Sequence, residues 1–440
     1  MIDILVEPQI DKIMMPENLK VGLMIAEQRK KCASIGCNEK YYGLGFGQSP
    51  FHVPQPLVDG LAQNATKGHY SAAEGILELR KAVADFNKRH FGLKVDPFRI
   101  VIGPGTKDLL NILVNLIKGG VIIPSPSWIG YRPQLILTNK HFHTFHLKSE
   151  NNYKIQPHDL DEFISKIEGE QHLLILNNPH NPTGVVYSKK ELEDITEICR
   201  KHNIIVLADE IYALDTYDMN NFTSMGLIYP EGTFVTNGLS KDRSAGGYRL
   251  GSCILPTSCT EKLQSDFKKI AATVYTNVST PTQYAAIKAY EANDEIDDYI
   301  NTTRQIHRIM GHYLSDEWNK VERIKATRPD GAFYFFADFN ELKLDLKQKG
   351  VSTSNQLGAS LLSCPFHLGT VTGDSCMLEP DDFGARIAFV DYDGKKTFEN
   401  YKNNPPKSSS EEIEFVKQNA PMMVKSTDAL RGWIDFIKQG

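Results

Sequence analysis

Lys241 and Arg249 stand eight positions apart in LSKDRSAGGYR (239–249), and Ser, Ala and two glycines fill most of the gap. Charges placed only for solubility need no Gly-rich connection. A lysine that reaches a carbonyl, beside an arginine that returns to an anion of the same small molecule, does need one, because the backbone must approach that molecule closely. Other polar residues suit the same ligand. Gly105 and Thr106 open a helix, where free N–H groups and the helix dipole favour a phosphate, and Arg249 adds a planar, charge-assisted clamp. Asp209 suits a pyridine nitrogen that must stay protonated, and donors from Asn181 and Tyr212 suit a phenolate oxygen. Lys241 suits an aldehyde, through a Schiff base. One molecule carries phosphate, pyridine nitrogen, phenolate and aldehyde: pyridoxal 5′-phosphate, whose mark is a lysine Schiff base with an acidic partner for the ring nitrogen.

Strand ends must carry these groups. From about residue 97 to 255, short apolar runs alternate with amphipathic stretches. RIVIG (99–103) reads as a strand and KDLLNILVNLIKGG (107–120) as a helix ended by glycine. GVIIPS (120–125) reads as a strand entering a Pro-rich turn. HLLILNNP (172–179) is continuously apolar, as a strand buried on both faces should be. YSKKELEDITEICRKHN (187–203) has capping-box spacing at Ser188 and Glu191, and IIVLADEIY (204–212) and TFVTNG (233–238) follow as strands. The rhythm predicts an α/β fold: a large domain whose mostly parallel sheet is flanked by helices, with ligands at the carboxyl ends of the strands. After a long helix or bent pair over 283–321 the pattern becomes α+β. GAFYFFADF (331–339) and ARIAFV (385–390) read as strands, a helix lies near 352–363, and NNPPKSSSEE (403–412) is a solvated loop. The expected division is 56–295 for the large cofactor-binding domain, with 1–55 and 296–440 forming a smaller α+β domain from both termini.

Bulk properties agree with two domains, since 440 residues exceed the roughly 250–300 that one core holds. A net charge of −5 and the lack of a basic run with interleaved aromatics argue against a nucleic-acid partner. No apolar run approaches the roughly 20 residues needed to span a bilayer, and MIDILVEPQIDKIMMPENLK is too broken by acids and prolines for a signal peptide. The seven cysteines (32, 37, 199, 253, 259, 364 and 376) show no metal-type CxxC pair. They read as reduced, mostly buried thiols, and the compartment as cytoplasmic.

At this point a family resemblance is specific. LGFGQSPF (44–51), HYSAAEGILELRKAVADF (69–86), NNPHNPTG (177–184), ADEIY (208–212), SK followed by GGYRLG (240–251) and ARIAF (385–389) stand in order over most of the chain. Together they resemble the class I/II aminotransferases of the fold-type I pyridoxal-phosphate enzymes, of the aspartate aminotransferase kind. The resemblance implies that Lys241 binds the cofactor and then shuttles a proton, that Asp209 pairs with the ring nitrogen, and that Tyr212 and Asn181 bond the ring oxygen. It implies Trp128 stacking on the ring and Arg386 gripping the substrate α-carboxylate, with Asn181 and the Gly47 backbone assisting. It also implies that Tyr70 reaches the phosphate of a neighbouring subunit in a homodimer with shared sites. The implied reaction moves an amino group between an L-amino acid and a 2-oxo acid: glutamate and 2-oxoglutarate on one side, an acidic or aromatic amino acid on the other.

The chain departs from that pattern in places. Gly238 stands where the family often has a phosphate-binding Ser or Thr, leaving Ser240 or Thr236 to substitute, and Ser49 stands where proline is usual. Lys107 falls at the helix start, where a cation opposes the dipole; it either contacts the phosphate, reads a distal substrate carboxylate, or is solvated. A lyase of the same fold, such as a C–S β-lyase or a 1-aminocyclopropane-1-carboxylate-synthase-like enzyme, shares the cofactor pocket and stays open. GPGTKD (103–108) fails as a nucleotide P-loop, because the outer glycines are too close and Asp108 follows the lysine.

Overall fold

The computed structural model describes residues 5–169 and 171–439; residues 1–4 of the stretch read above as no signal peptide lie outside them. Seven strands form one sheet in the order Ile100–Gly103, Gly251–Ile254, Thr233–Gly238, Ile205–Asp209, Leu173–Asn177, Val121–Ser125, Phe142–His146. Only Gly251–Ile254 runs against the rest. Side-chain alternation divides the apolar residues into two cores. Val121, Ile123, Leu173, Ile175, Leu207 and Phe234 join one cluster, with Leu109, Leu113 and Phe267 from the helices Thr106–Leu116 and Glu261–Val274. Ile122, Leu174, Leu176, Val206, Ala208 and Val235 face the other. Both faces are covered, so the strands read as unbroken apolar runs rather than alternating ones.

The helix Lys189–Lys201 begins with the expected capping box: the Ser188 hydroxyl accepts from Glu191 N, and the Glu191 carboxylate accepts from Ser188 N at 2.7 Å, an arrangement worth about 1 kcal/mol. The 283–321 stretch is two helices, Thr280–Tyr290 and Asp294–Asn319, the second capped by Asn293. The helix expected to run to the glycines at 119–120 stops at Leu116, because Ile117 is already extended. The stretch 403–412 is only partly a loop. Ser408 accepts from Glu411 N and starts the helix Ser409–Asn419.

A second sheet is antiparallel, in the order Val371–Thr372, Gly384–Ala388, Tyr334–Asp338, Lys325–Ala326. The N-terminal segment packs against it: Ala388 N donates to Leu44 O at 2.7 Å, and Arg29 Nη1 bonds Asp391 Oδ1 at 2.9 Å. Tyr42–Gly43 pairs in parallel with Leu368–Gly369.

One cysteine expectation is overturned. Cys32 and Cys37 form a disulfide, while Cys199, Cys253, Cys259, Cys364 and Cys376 are free. The turn at Gly36 that ends the helix Glu17–Ile35 brings the two Cα atoms to 5.0 Å, inside disulfide range. Spacing read along the chain does not reveal a helix end folding back on itself. Among the described residues no helix is long and apolar enough to cross a membrane.

Candidate active site

Five of the parallel strands end around one cavity of about 600 Å³, which Gly47, Thr106, Lys107, Trp128, Asn181, Asp209, Tyr212, Ser240, Lys241, Arg249 and Arg386 all line. The strand Ile205–Asp209 delivers Asp209, 4 % exposed, to the floor. Burial raises the pKa of its carboxyl, and hydrogen bonds from Tyr131, Ile211 N and Thr236 oppose that rise. The Tyr131 hydroxyl donates to Oδ2 at 2.7 Å and Thr236 Oγ1 to Oδ1 at 3.4 Å. Thr236 is thereby occupied with the acid, whereas Ser240 lines the cavity. Gly238 cannot carry the family's usual hydroxyl: a Cβ there would meet Leu250 O at 2.8 Å.

Lys241, just beyond the strand Thr233–Gly238, donates from Nζ to Gly47 O at 3.1 Å. Its ammonium lies 5.5 Å from the ring centres of Tyr212 and Phe333. Asn181 is held by Asn177 Oδ1, which accepts its N–H at 2.7 Å. Its side chain meets Tyr212 Oη from Nδ2 at 3.5 Å and accepts Arg386 Nη1 on Oδ1 at 3.2 Å. Arg386 is 1 % exposed. Its Nη2 bonds Gly45 O at 2.7 Å, yet its buried Nε finds no partner among the described residues. A buried guanidinium left partly unpaired is costly unless an anion completes it.

The same cavity holds two further cations, Lys107 and Arg249. Gly105 caps the helix Thr106–Leu116 with φ +90, and a Cβ there would come within 2.5 Å of Arg249 Nη2. Only glycine both adopts that backbone and lets the guanidinium pass. Arg249 Nη1 donates to Gly246 O at 2.9 Å. Lys107 Nζ lies 5.5 Å from the Trp128 ring centre, and burial, with Arg249 second, lowers its pKa. The Ser49 that replaces the family's proline shares a hydrogen bond with Ser244 at 2.5 Å, tying the Gly47 loop to the lysine loop.

Two expected residues do not line this cavity: Gly105, which caps the helix behind Thr106, and Tyr70, which is 86 % exposed. Among the lining residues that sequence reading missed are four polar ones whose side chains matter to the geometry: Asn18, Tyr131, Asn177 and Tyr334. Asn177 stood inside NNPHNPTG, already singled out, and Tyr131 lies three residues after Trp128. Tyr334, whose hydroxyl meets Tyr212 Oη at 3.1 Å and donates to Gly47 O at 3.2 Å, had no signal beyond an apolar strand.

The model for aminotransferase class I and II matches residues 39–364. The chain belongs to the class I/II aminotransferases. It is 30% identical over 330 residues to the aspartate aminotransferase of Bacillus subtilis (strain 168), covering 72% of this chain and 80% of that one. It is 32% identical over 320 residues to aromatic-amino-acid aminotransferase 2 of Thermococcus litoralis, covering 70% and 79%. The fold superposes on the aspartate aminotransferase of Thermus thermophilus with maleate at a TM-score of 0.79 and 20% identity, over 98% and 100% of the two chains. This aminotransferase is a transaminase by family, and transaminase relatives do not favour the lyase alternative.

Proposed function

We propose that this aminotransferase works with pyridoxal 5′-phosphate bound in the 600 Å³ cavity. Its reaction would exchange glutamate and 2-oxoglutarate against an acidic or aromatic L-amino acid. The donor set fits the cofactor group by group. Gly105, Thr106, Ser240 and Arg249 would hold the phosphate, with Lys107 beside them. Trp128 would cover the ring, and Tyr212 with Asn181 would bond its oxygen. When bound, the cofactor supplies the aldehyde that accepts the amino group and a ring that withdraws electrons from substrate Cα. Asp209 would hold the proton on the ring nitrogen, since an opposing cation favours the ionised carboxylate that burial alone disfavours. Lys241 would attach the cofactor and then move the proton between substrate Cα and cofactor C4′. Arg386 would take the substrate α-carboxylate, aided by Asn181 and the Gly47 backbone.

The observation that carries the substrate reading is that one cavity holds Arg386 together with Lys107 and Arg249. Arg386 and Lys107 are left for the two carboxylates of an acidic substrate once the phosphate has claimed Arg249. With a panel of amino donors against 2-oxoglutarate, Lys107→Ala should lower kcat/KM for aspartate by roughly 10–100-fold, the worth of one charged hydrogen bond. The aromatic donors should change little. An equal fall for both classes would assign Lys107 to the phosphate instead.

The same reading extends to organisation. We take residues 56–295 as the cofactor-binding domain and 1–55 with 296–440 as the smaller one, supported by the pairing of Tyr42–Gly43 with Leu368–Gly369. The exposed Tyr70 supports a homodimer in which it serves the partner's phosphate site. A cytoplasmic location is supported by the five free thiols.

A further inference from the structure

The segment after the helix Glu17–Ile35 is stitched to the loop before Leu368 by the pairing Tyr42↔Leu368 and by Tyr42 N donating to His367 O at 3.0 Å. Three side chains of different chemistry meet at that stitch. Glu39, Cys364 and His367 each offer one ligand atom, and the three atoms lie within 4.8 Å of one another. None of the three lines the transamination cavity.

His367 makes this more than a chance cluster. The residue is 8 % exposed, and its buried Nε2 has no hydrogen-bond partner among the described residues. Nε2 faces Glu39 Oε2 at 3.7 Å, too long for a hydrogen bond. That spacing suits two ligands of one ion: metal bonds of about 2.0–2.3 Å at tetrahedral angles set neighbouring ligand atoms roughly 3.3–3.8 Å apart. Both groups are held in place. Tyr41 packs on the imidazole with ring centres 4.4 Å apart and donates its hydroxyl to Glu39 Oε2 at 2.6 Å, the kind of outer support that orients metal ligands. His367 also keeps φ +51, a left-handed conformation that non-glycine residues seldom adopt. Glu39 and Cys364 are exposed, which gives an ion its entry.

We propose that Glu39, Cys364 and His367 bind a zinc ion, with water as the fourth ligand. One thiolate, one imidazole and one carboxylate form a mixed set for a borderline ion, whereas magnesium and calcium take oxygen shells. Binding displaces the Cys364 proton to solvent, so affinity falls as pH drops. The ion joins residue 39 to residues 364 and 367. It thereby fastens the arm whose helix carries Asn18 into the catalytic cavity.

The test uses holoenzyme without a histidine tag, stripped with chelator and kept under reductant, then titrated with Co²⁺ and Zn²⁺. The expected result is the visible spectrum of four-coordinate cobalt with a thiolate ligand, displaced by a single Zn²⁺ per chain. Zinc affinity should weaken by at least roughly tenfold in Cys364→Ser and in Glu39→Gln; both residues are exposed, so these variants should fold. A Cys32→Ser/Cys37→Ser double variant should keep the spectrum. An octahedral cobalt spectrum, affinity unchanged in Cys364→Ser, or loss of the signal in the double variant would overturn the assignment.

Discussion

A methyl group at Gly47 would fall inside the Tyr334 hydroxyl, and the Gly47 carbonyl accepts from both Lys241 Nζ and Tyr334 Oη. Gly47→Ala must therefore move either the loop or the tyrosine, an overpacking cost of about 1–3 kcal/mol. Steady-state kinetics should show kcat/KM lower by roughly 10–100-fold, and wild-type kinetics would mean that the loop is not a fixed part of the site. The residues that carry charge or reactivity were legible because their types announced a ligand: Lys241, Asp209, Arg249 and Arg386 all line the cavity. Tyr131 and Tyr334 were not. A buried tyrosine reads as core until the fold shows what its hydroxyl meets, and those partners lie 78 and 122 residues away.

Glu210 links two elements, the strand Ile205–Asp209 and the short helix Met225–Ile228. Its Oε1 accepts from Met225 N at 2.8 Å and Ser224 Oγ at 3.0 Å. Burial pushes its pKa from 4.5 up to about 8, against those two hydrogen bonds. Between these values the folded chain holds a proton that the unfolded chain has released. The stabilisation is complete below about pH 4.5 and is lost as pH rises through 8, with a slope of at most about 1.4 kcal/mol per pH unit. Glu210→Gln removes that slope. The Tm advantage of the parent over Glu210→Gln should shrink between about pH 5 and about pH 8; a constant difference would mean that Glu210 is ionised throughout. At this scale the sequence was readable wherever cap chemistry stood beside an apolar run, as at Ser188. It misled at 403–412, where the cap Ser408 was hidden in a run of polar residues, and at Ile117, where an apolar residue ended a helix before its glycines.

The whole molecule brings together groups from both ends of the chain: Asn18 and Gly47, the strand ends of the large sheet, then Tyr334 and Arg386. Periodicity could forecast the layers, because parallel strands buried on both faces have a distinct pattern. It could not forecast the Cys32–Cys37 pairing, which depends on how the helix end turns back at Gly36. If Tyr70 acts on a partner's site, mixing Lys241→Ala chains with Tyr70→Ala chains should restore activity that neither preparation has alone. One site of each hybrid dimer then keeps both residues. No gain on mixing would place Tyr70 outside the shared site. Everything proposed for the reaction depends on which amine holds the cofactor, and reduction with borohydride followed by peptide mapping tests that directly. The label is predicted on Lys241 alone; a label on Lys107 or any other lysine, or none, would contradict the account.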